Sequence, residues 1–197
     1  MPRLSTVERK EQIIDEAIKI IHEEGYSQLS IRELSKRVGI TEPAIYRHFL
    51  NKDAIIKGIL DRIYHFGNHL FERAKNKETF SEKLKMFIIS HFEYFEDRPE
   101  MTSVVFSEDL FLHNKELESK LGELMKQRKR MLKKIFDEAK QEGYEIEGDP
   151  EDISLIILGI VRMTVLEWRM SGFSYSLKKR GVKILKTMEG MGFLTLK

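Results

Sequence analysis

The stretch of residues 29–52 constrains the fold of this chain more than any other, because it carries start and stop signals for two short helices in succession. Ser30, followed three residues later by a glutamate, has the pattern of a capping box that begins the first helix. Gly39 ends that helix, since glycine accepts the left-handed backbone of a helix C-cap. Thr41 begins the second helix, with Pro43 in its first turn, where a missing N–H is harmless. Two capped helices joined at one glycine predict a helix-turn-helix.

The second helix has one side suited to a protein core and another suited to a DNA groove. At about 100° per residue, Ile45 and Phe49 point together, and we expect both in the core. A helix in the major groove needs small or polar residues towards the base edges and hydrogen-bonding groups towards the two phosphate walls. The outer side carries Pro43, Ala44 and Arg47, and its flanks carry Tyr46 and His48.

The residue types on this outer side predict particular DNA contacts. Arg47 is suited to donate to guanine, and Glu42 to accept from the amino group of cytosine. Lys52 and the start of the helix after Asn51 offer a cation and backbone N–H groups to a phosphate. The predicted DNA-binding residues are Ser30, Arg32, Thr41, Glu42, Pro43, Ala44, Tyr46, Arg47, His48 and Lys52. For Arg3, Arg9 and Lys10, a phosphate contact and a solvated terminus both stay open.

Four short motifs of this region resemble those of the TetR family of bacterial transcriptional regulators in order, spacing and distance from the N-terminus. They are Ser30–Leu34, Val38–Ile40, Ala44–Phe49 and Asn51–Lys52. The resemblance implies an all-helical homodimer with an N-terminal DNA-binding domain and a C-terminal domain that usually binds a small effector. It is specific for the first part of the chain and only architectural afterwards.

Charge and composition exclude several classes of protein. The net charge is only +2, and the cations are concentrated in residues 30–57, which suits sequence-directed docking better than non-specific coating of DNA. There are no cysteines, so disulfides and thiolate metal sites are excluded. The N-terminus has no apolar run, and the most apolar stretch, Ile153–Leu166, is interrupted by Arg162 and too short to span a bilayer. We therefore expect a cytoplasmic protein without a membrane segment.

Hydrophobic periodicity predicts an all-α fold of about nine helices. We expect a helix-turn-helix DNA-binding domain of three helices in residues 1–50 and a helical effector-binding and dimerisation domain in residues 51–197. The predicted helices outside residues 29–50 run from Ser5 or Thr6 to Gly25, from Asn51 to about Lys75, from Thr79 to about Asp97, from Pro99 over a short distance, from about Asn114 to Glu142, from Asp149 to Ser171, and from about Tyr175 to Met191.

The eighth predicted helix leaves almost no polar side, so we expect one side of it to face its own core and the other to face a partner. Two copies of the last two helices would form a four-helix bundle, as the resemblance also implies. The residues predicted for this dimer interface are Ile156, Ile160, Trp168, Leu177, Leu185 and Met188.

Aromatic residues of the C-terminal domain are candidates for an apolar effector pocket, although an ordinary core explains each of them as well. Arg162 is the candidate for an acidic head group, and His91 for a polar group. The predicted pocket residues are Phe66, Phe87, His91, Phe92, Phe95, Phe106, Phe111, Arg162 and Met163. The basic run from Lys126 to Lys134 is interpreted as a solvated helix side rather than a second DNA or lipid contact.

The sequence favours a regulator over an enzyme. No Ser/His/Asp set, glycine-rich phosphate loop or carboxylate pair stands out, and the pair His65 and His69 lacks the further ligands of a metal site. We expect no cofactor and no metal. The predicted function is that of a repressor that binds a pseudo-palindromic operator as a homodimer and is released by a small, largely apolar effector. The alternative is a nucleoid-associated or cell-division factor of the same fold that acts through a protein partner. A helical enzyme or carrier is a third, less favoured reading.

Overall fold

The computed structural model describes residues 4–107, 110–111, 114–144, 146 and 148–191. Within these residues it contains nine α-helices, a 3₁₀ turn at Tyr26–Gln28 and no strand, which confirms the predicted all-α fold. None of the described helices is both long and apolar enough to cross a membrane. The helices are α1 (Thr6–Glu24), α2 (Ile31–Val38), α3 (Glu42–Tyr46), α4 (Lys52–Lys75), α5 (Phe80–Asp97), α6 (Met101–Val105), α7 (Lys115–Gln141), α8 (Pro150–Met170) and α9 (Leu177–Gly190).

The chain forms two compact units. The first unit comprises Met1–Tyr64 and Glu100–Leu124, and the second unit comprises His65–Pro99 and Met125–Lys197. Helices α4 and α7 therefore each contribute residues to both units. The predicted domains, residues 1–50 and 51–197, stay a prediction.

Helix starts in the first unit lie where the capping signals predict them, although the caps differ in detail. At α1 the box is complete, because the Ser5 hydroxyl accepts from the Glu8 N–H at 3.2 Å and the Glu8 carboxylate accepts from the Ser5 N–H at 2.8 Å. At α2 the Ser30 hydroxyl accepts from the Glu33 N–H at 3.1 Å. The Glu33 carboxylate, however, lies 3.7 Å from Arg37, one turn further on. The predicted reciprocal box at α2 is thus a single cap, because Glu33 pairs with cations of its own helix.

The turn between α2 and α3 has the predicted geometry. Gly39 lies in the left-handed region with φ 71° and ψ 34° and caps the end of α2. Thr41 is extended and precedes the first residue of α3, but its side chain makes no capping hydrogen bond. A hydrogen bond of 3.0 Å from the Phe49 N–H to the Ile45 carbonyl continues the helical turn beyond Tyr46.

In the first unit, α1 packs against α2 and α6. The Nδ1 atom of His22 on α1 lies 2.9 Å from the hydroxyl of Ser103 on α6, so a hydrogen bond joins the two helices. The buried side of α1 is made of Ile13, Ile14, Ala17, Ile18, Ile20 and Ile21.

In the second unit, α5 packs against α8 and α9. The approach is close at Gly181, where an added Cβ would lie 2.3 Å from the ring of the fully buried Phe92. The predicted capping box at the start of α5 is present, since Thr79 and Glu82 bond each other's backbone N–H at 3.2 and 3.3 Å.

Two helices begin two residues later than predicted. Helix α6 begins at Met101 rather than Pro99, because the turn closes when the Glu100 carbonyl accepts from the Ser103 N–H at 3.1 Å. Helix α9 begins at Leu177 rather than Tyr175, because the hydroxyl of Ser176 accepts from an N–H of the first turn and acts as its cap.

Candidate nucleic-acid interface and effector region

Helix α3 presents its predicted outer side to solvent. Ile45 is fully buried and Phe49 nearly so, which confirms the inner side of the helical wheel. Tyr46 is 51% exposed, and Arg47 on the opposite side from Ile45 is exposed as well. The remaining outer residues, Thr41, Glu42 and Pro43, are exposed, and Ala44 is half-buried. This side thus offers one cation, one carboxylate and small groups on a rigid turn, which is what base-edge contacts require.

Cations from two helices gather around His48. Burial lowers the pKa of His48, and the charges of Lys10, Arg47 and Arg9 lower it further. Within the described part of the chain, the Nδ1 atom of His48 is buried and has no hydrogen-bond partner. Like charges held together in this way favour an anion between them, and a DNA phosphate has the required charge. Arg3 lies outside the described residues.

Lys52 has a partner in its own unit. Its ammonium group donates to the Tyr26 carbonyl at 2.9 Å and lies 3.6 Å from the centre of the Tyr26 ring. Burial lowers the pKa of Lys52. Asn51 accepts from the Ala54 N–H at 2.8 Å and so caps the start of α4. A phosphate contact by Lys52 stays a prediction, as do contacts by Ser30 and Arg32, which are both exposed.

The predicted pocket residues separate into three groups. Phe87, His91, Phe92 and Phe95 on α5 are buried in the second unit, and the half-buried Phe66 on α4 contacts His91 with a centroid distance of 5.7 Å. Phe106 and Phe111 belong to the first unit. Arg162 and Met163 are exposed on α8, so the charge on which the sequence interpretation relied does not lie among the buried aromatic residues.

Arg128 on α7 is, with Lys83 on α5, a buried cation of the second unit, and the sequence interpretation did not predict its burial. It is 8% exposed, and its Nε atom donates to Nε2 of His91 at 3.1 Å. The basic run Lys126–Lys134 was assigned to solvent as a whole. Helical spacing was the signal that could have found the exception, because Arg128 lies in a buried stripe with Leu117, Leu124, Met131 and Ile135.

Helix α8 has a buried inner side and an exposed apolar outer side. Of the predicted interface residues, Ile156 is 49% exposed and Ile160 is half-buried. Trp168, Leu177, Leu185 and Met188 are buried within their own unit, so they serve its core and leave little surface for a partner. The outer side, defined here by the exposed residues Leu155, Ile156, Met163 and Met170, is the apolar surface that α8 leaves uncovered.

A helix-turn-helix with this exposed side defines a DNA-binding regulator. Residues 13–59 match the model of bacterial regulatory proteins of the tetR family, and residues 60–189 match the model of the C-terminal region of YsiA-like proteins, a TetR C-terminal class. The chain belongs to the TetR family.

Similar proteins include a regulator named for fatty acid metabolism. The fatty acid metabolism regulator protein of Bacillus subtilis (strain 168) is 30% identical over 179 residues, which cover 90% of this chain and 92% of that protein. The crystal structure of FadR from Bacillus subtilis in complex with stearoyl-CoA matches with a TM-score of 0.79 at 29% identity, over 89% of this chain and 95% of that chain. The nucleoid occlusion factor SlmA of Vibrio atlanticus (strain LGP32) is 25% identical over 170 residues, covering 85% of this chain and 87% of that protein.

Proposed function

We propose that this chain is a cytoplasmic transcriptional repressor that binds a pseudo-palindromic operator as a homodimer and is released by a small, largely apolar effector. The observation that carries the proposal is the exposed outer side of α3 beside the cations around His48. A recognition helix needs both parts, because base contacts specify the sequence while phosphate contacts hold the register.

The side chains divide between these two roles. We assign Arg47 and Glu42, which are both exposed, to base edges, where a guanidinium recognises guanine and a carboxylate recognises the amino group of cytosine. We assign Tyr46, His48 and Lys10 to phosphates. Two half-sites need two copies of this arrangement, and the apolar outer side of α8 is the surface that we assign to the second copy.

Lys10 and Lys19 are two exposed residues of α1 whose alanine variants form a matched pair. They lie about 180° apart around α1, and only Lys10 acts on His48. We expect Lys10→Ala to weaken operator binding and to reduce the slope of log affinity against log salt by about 1. Lys19→Ala should leave both the operator affinity and its salt dependence unchanged in fluorescence polarisation titrations. Equal behaviour of the two variants would contradict the assigned DNA-binding surface, as would unaltered binding by a Tyr46/His48 double alanine variant.

The effector class is taken from the relatives. Because one similar regulator is named for fatty acid metabolism and one similar solved structure holds stearoyl-CoA, we infer that a long-chain acyl-CoA is the effector. The ligand would favour a conformation with lower DNA affinity, by as much as its affinities for the two conformations differ. Stearoyl-CoA should release labelled operator DNA, whereas coenzyme A alone should not.

The alternative function is that of a DNA-bound factor that acts through a protein partner. The similarity to SlmA at 25% identity favours it. Such a factor would bind DNA with unchanged affinity in the presence of acyl-CoA. The release titration therefore separates the two functions.

A further inference from the structure

Gly159 lies in the middle of α8, where a glycine weakens the helix relative to alanine. Two other glycines in helices of the second unit are explained by close packing within it. An added Cβ would lie 1.6 Å from the Arg128 side chain at Gly67 and 2.3 Å from the Phe92 ring at Gly181. At Gly159, an added Cβ would meet no atom of another helix within 4 Å in the part of the chain that the structure describes. Packing among these residues therefore gives no reason for a glycine at position 159.

Gly159 is part of a regularly spaced stripe along α8, called the α8 stripe below. Its members follow each other at intervals of 4, 3, 4, 3 and 4 residues, which is the spacing by which one helix packs along another. Ile156, Met163 and Met170 are exposed, and Leu166 is half-buried, so most of the stripe is apolar surface. The distance between two packed helices depends on the side chains at their contact, and a glycine allows the closest approach. The members of the α8 stripe are Asp152, Ile156, Gly159, Met163, Leu166 and Met170.

The charge along α8 changes sign between its two ends. The first turn carries the exposed residues Glu151 and Asp152, and the last turn carries Arg169. Helix α9, which follows, has the exposed Lys179 in its first turn. Two parallel copies of α8 would bring like charges together at both ends, whereas two antiparallel copies place the acidic start of each helix beside the basic end of the other. The helix dipoles favour the same orientation. Charge complementarity therefore indicates a second, antiparallel copy of α8 as the partner of the stripe.

We propose that two copies of α8 cross antiparallel at Gly159, on the two-fold axis of the homodimer, and that Gly159 lets their backbones meet. This inference rests on the proposed homodimer and adds the point that lies on its axis. A two-fold axis through Gly159 fixes which residues face each other. Ile156 precedes the crossing by three residues and Met163 follows it by four. Ile156 of one copy then lies opposite Met163 of the other, with an offset of about 1.5 Å along the helix axis.

Substitution of Gly159 tests the crossing point. The open space at its Cβ allows the chain itself to accept a side chain, so the effect should fall on the dimer. Sedimentation equilibrium of the DNA-free protein measures the dissociation constant. We expect Gly159→Ala to raise the dissociation constant on the order of 10-fold and Gly159→Leu on the order of 100-fold, because the axis places each added group in the contact twice. Circular dichroism should show unchanged helix content in both variants.

Gly122 provides the matched control for Gly159. It lies in the interior of α7, and an added Cβ there also meets no atom within 4 Å among the described residues, but its neighbours on the same side of the helix, Glu118 and Ser119, are polar. Gly122→Leu should leave the dissociation constant of the dimer unchanged. Wild-type dissociation constants in Gly159→Ala and Gly159→Leu would overturn the proposal, as would equal weakening of the dimer by Gly122→Leu and Gly159→Leu.

Disulfide formation tests the orientation of the two helices, because the chain has no cysteine of its own. A mixture of Ile156→Cys and Met163→Cys should give a mixed disulfide under mild oxidation, and each variant alone should give none. In the antiparallel crossing the two copies of Ile156 lie about 9 Å apart along the axis, and those of Met163 about 12 Å apart, which is beyond the reach of a disulfide. A disulfide between two copies of Ile156→Cys, without the mixed product, would overturn the antiparallel crossing.

The failure of this proposal can be distinguished from the failure of the proposed function. A wild-type dimer that is insensitive to Gly159→Leu would overturn the crossing at Gly159 and leave the operator-binding homodimer standing. Loss of the dimer in Gly159→Leu with unchanged operator affinity would support the crossing and contradict operator binding as a homodimer.

Discussion

Replacement of His91 by glutamine should remove much of the acid sensitivity of the second unit. Burial lowers the pKa of His91 from 6.5 to about 3, so the folded chain keeps this imidazole neutral where the unfolded chain protonates it. The unfolded state then binds more protons, and the free energy of unfolding rises with pH. The contribution of His91 is therefore complete above about pH 6.5 and is lost progressively as the pH falls towards 3.

These two pKa values give the size of the effect. Between pH 7 and pH 5, the unfolded imidazole changes from mostly neutral to mostly protonated, and linkage makes the loss of stability about 2 kcal/mol. Glutamine does not titrate, so His91→Gln should show a smaller fall over the same range. The quantity to compare is the change with pH, because the substitution also changes the stability at pH 7 through the bond to Arg128.

The fluorescence of the only tryptophan provides the assay. Trp168 is 3% exposed and lies in the second unit, so urea unfolding followed at its emission reports on the unit that contains His91. Urea unfolding of the wild type and of His91→Gln is measured at pH 7 and at pH 5. The protein concentration is kept the same, because association shifts apparent stability. If the wild type and His91→Gln lost the same free energy of unfolding between pH 7 and pH 5, the assignment of His91 as a buried neutral imidazole would be refuted.

Two further predictions concern packing and assembly. Gly181→Ala should lower the free energy of unfolding by about 1–3 kcal/mol in urea titrations, because its methyl group meets the Phe92 ring. Gly122 lies in α7 with open space at the position of an added Cβ, so Gly122→Ala should raise the free energy of unfolding by about 0.5–1 kcal/mol. A lower free energy of unfolding in Gly122→Ala would contradict this contrast with Gly181. Met163→Glu should raise the dimer dissociation constant on the order of 100-fold in sedimentation equilibrium, since a two-fold interface buries the new charge twice. Met125→Glu on α7 is the control, and dissociation by both variants would refute the assignment of α8.

Capping signals made the helix-turn-helix predictable from its sequence. Ser30, Gly39 and Thr41 set the ends of α2 and α3 through local hydrogen bonds and backbone angles, which depend little on the rest of the molecule. The same holds for Ser5 at α1 and Thr79 at α5, where complete capping boxes form. Local chemistry is therefore sufficient to predict these helix starts without knowledge of the packing.

Burial on α8 was harder to predict, because its residues are apolar on both sides. Periodicity gave no contrast between Trp168, which is buried in its own unit, and Met163, which is 61% exposed. Which side of α8 is buried depends on where α5 and α9 pack against it, and helical periodicity does not contain this tertiary information. The predicted interface therefore mixed core residues with surface residues.

Residue type alone does not predict which arginine of the second unit is buried. The apolar surroundings of Arg162 in the sequence favour it as a ligand residue, and the basic run around Arg128 predicts a solvated side chain. The structure instead exposes Arg162 and buries Arg128.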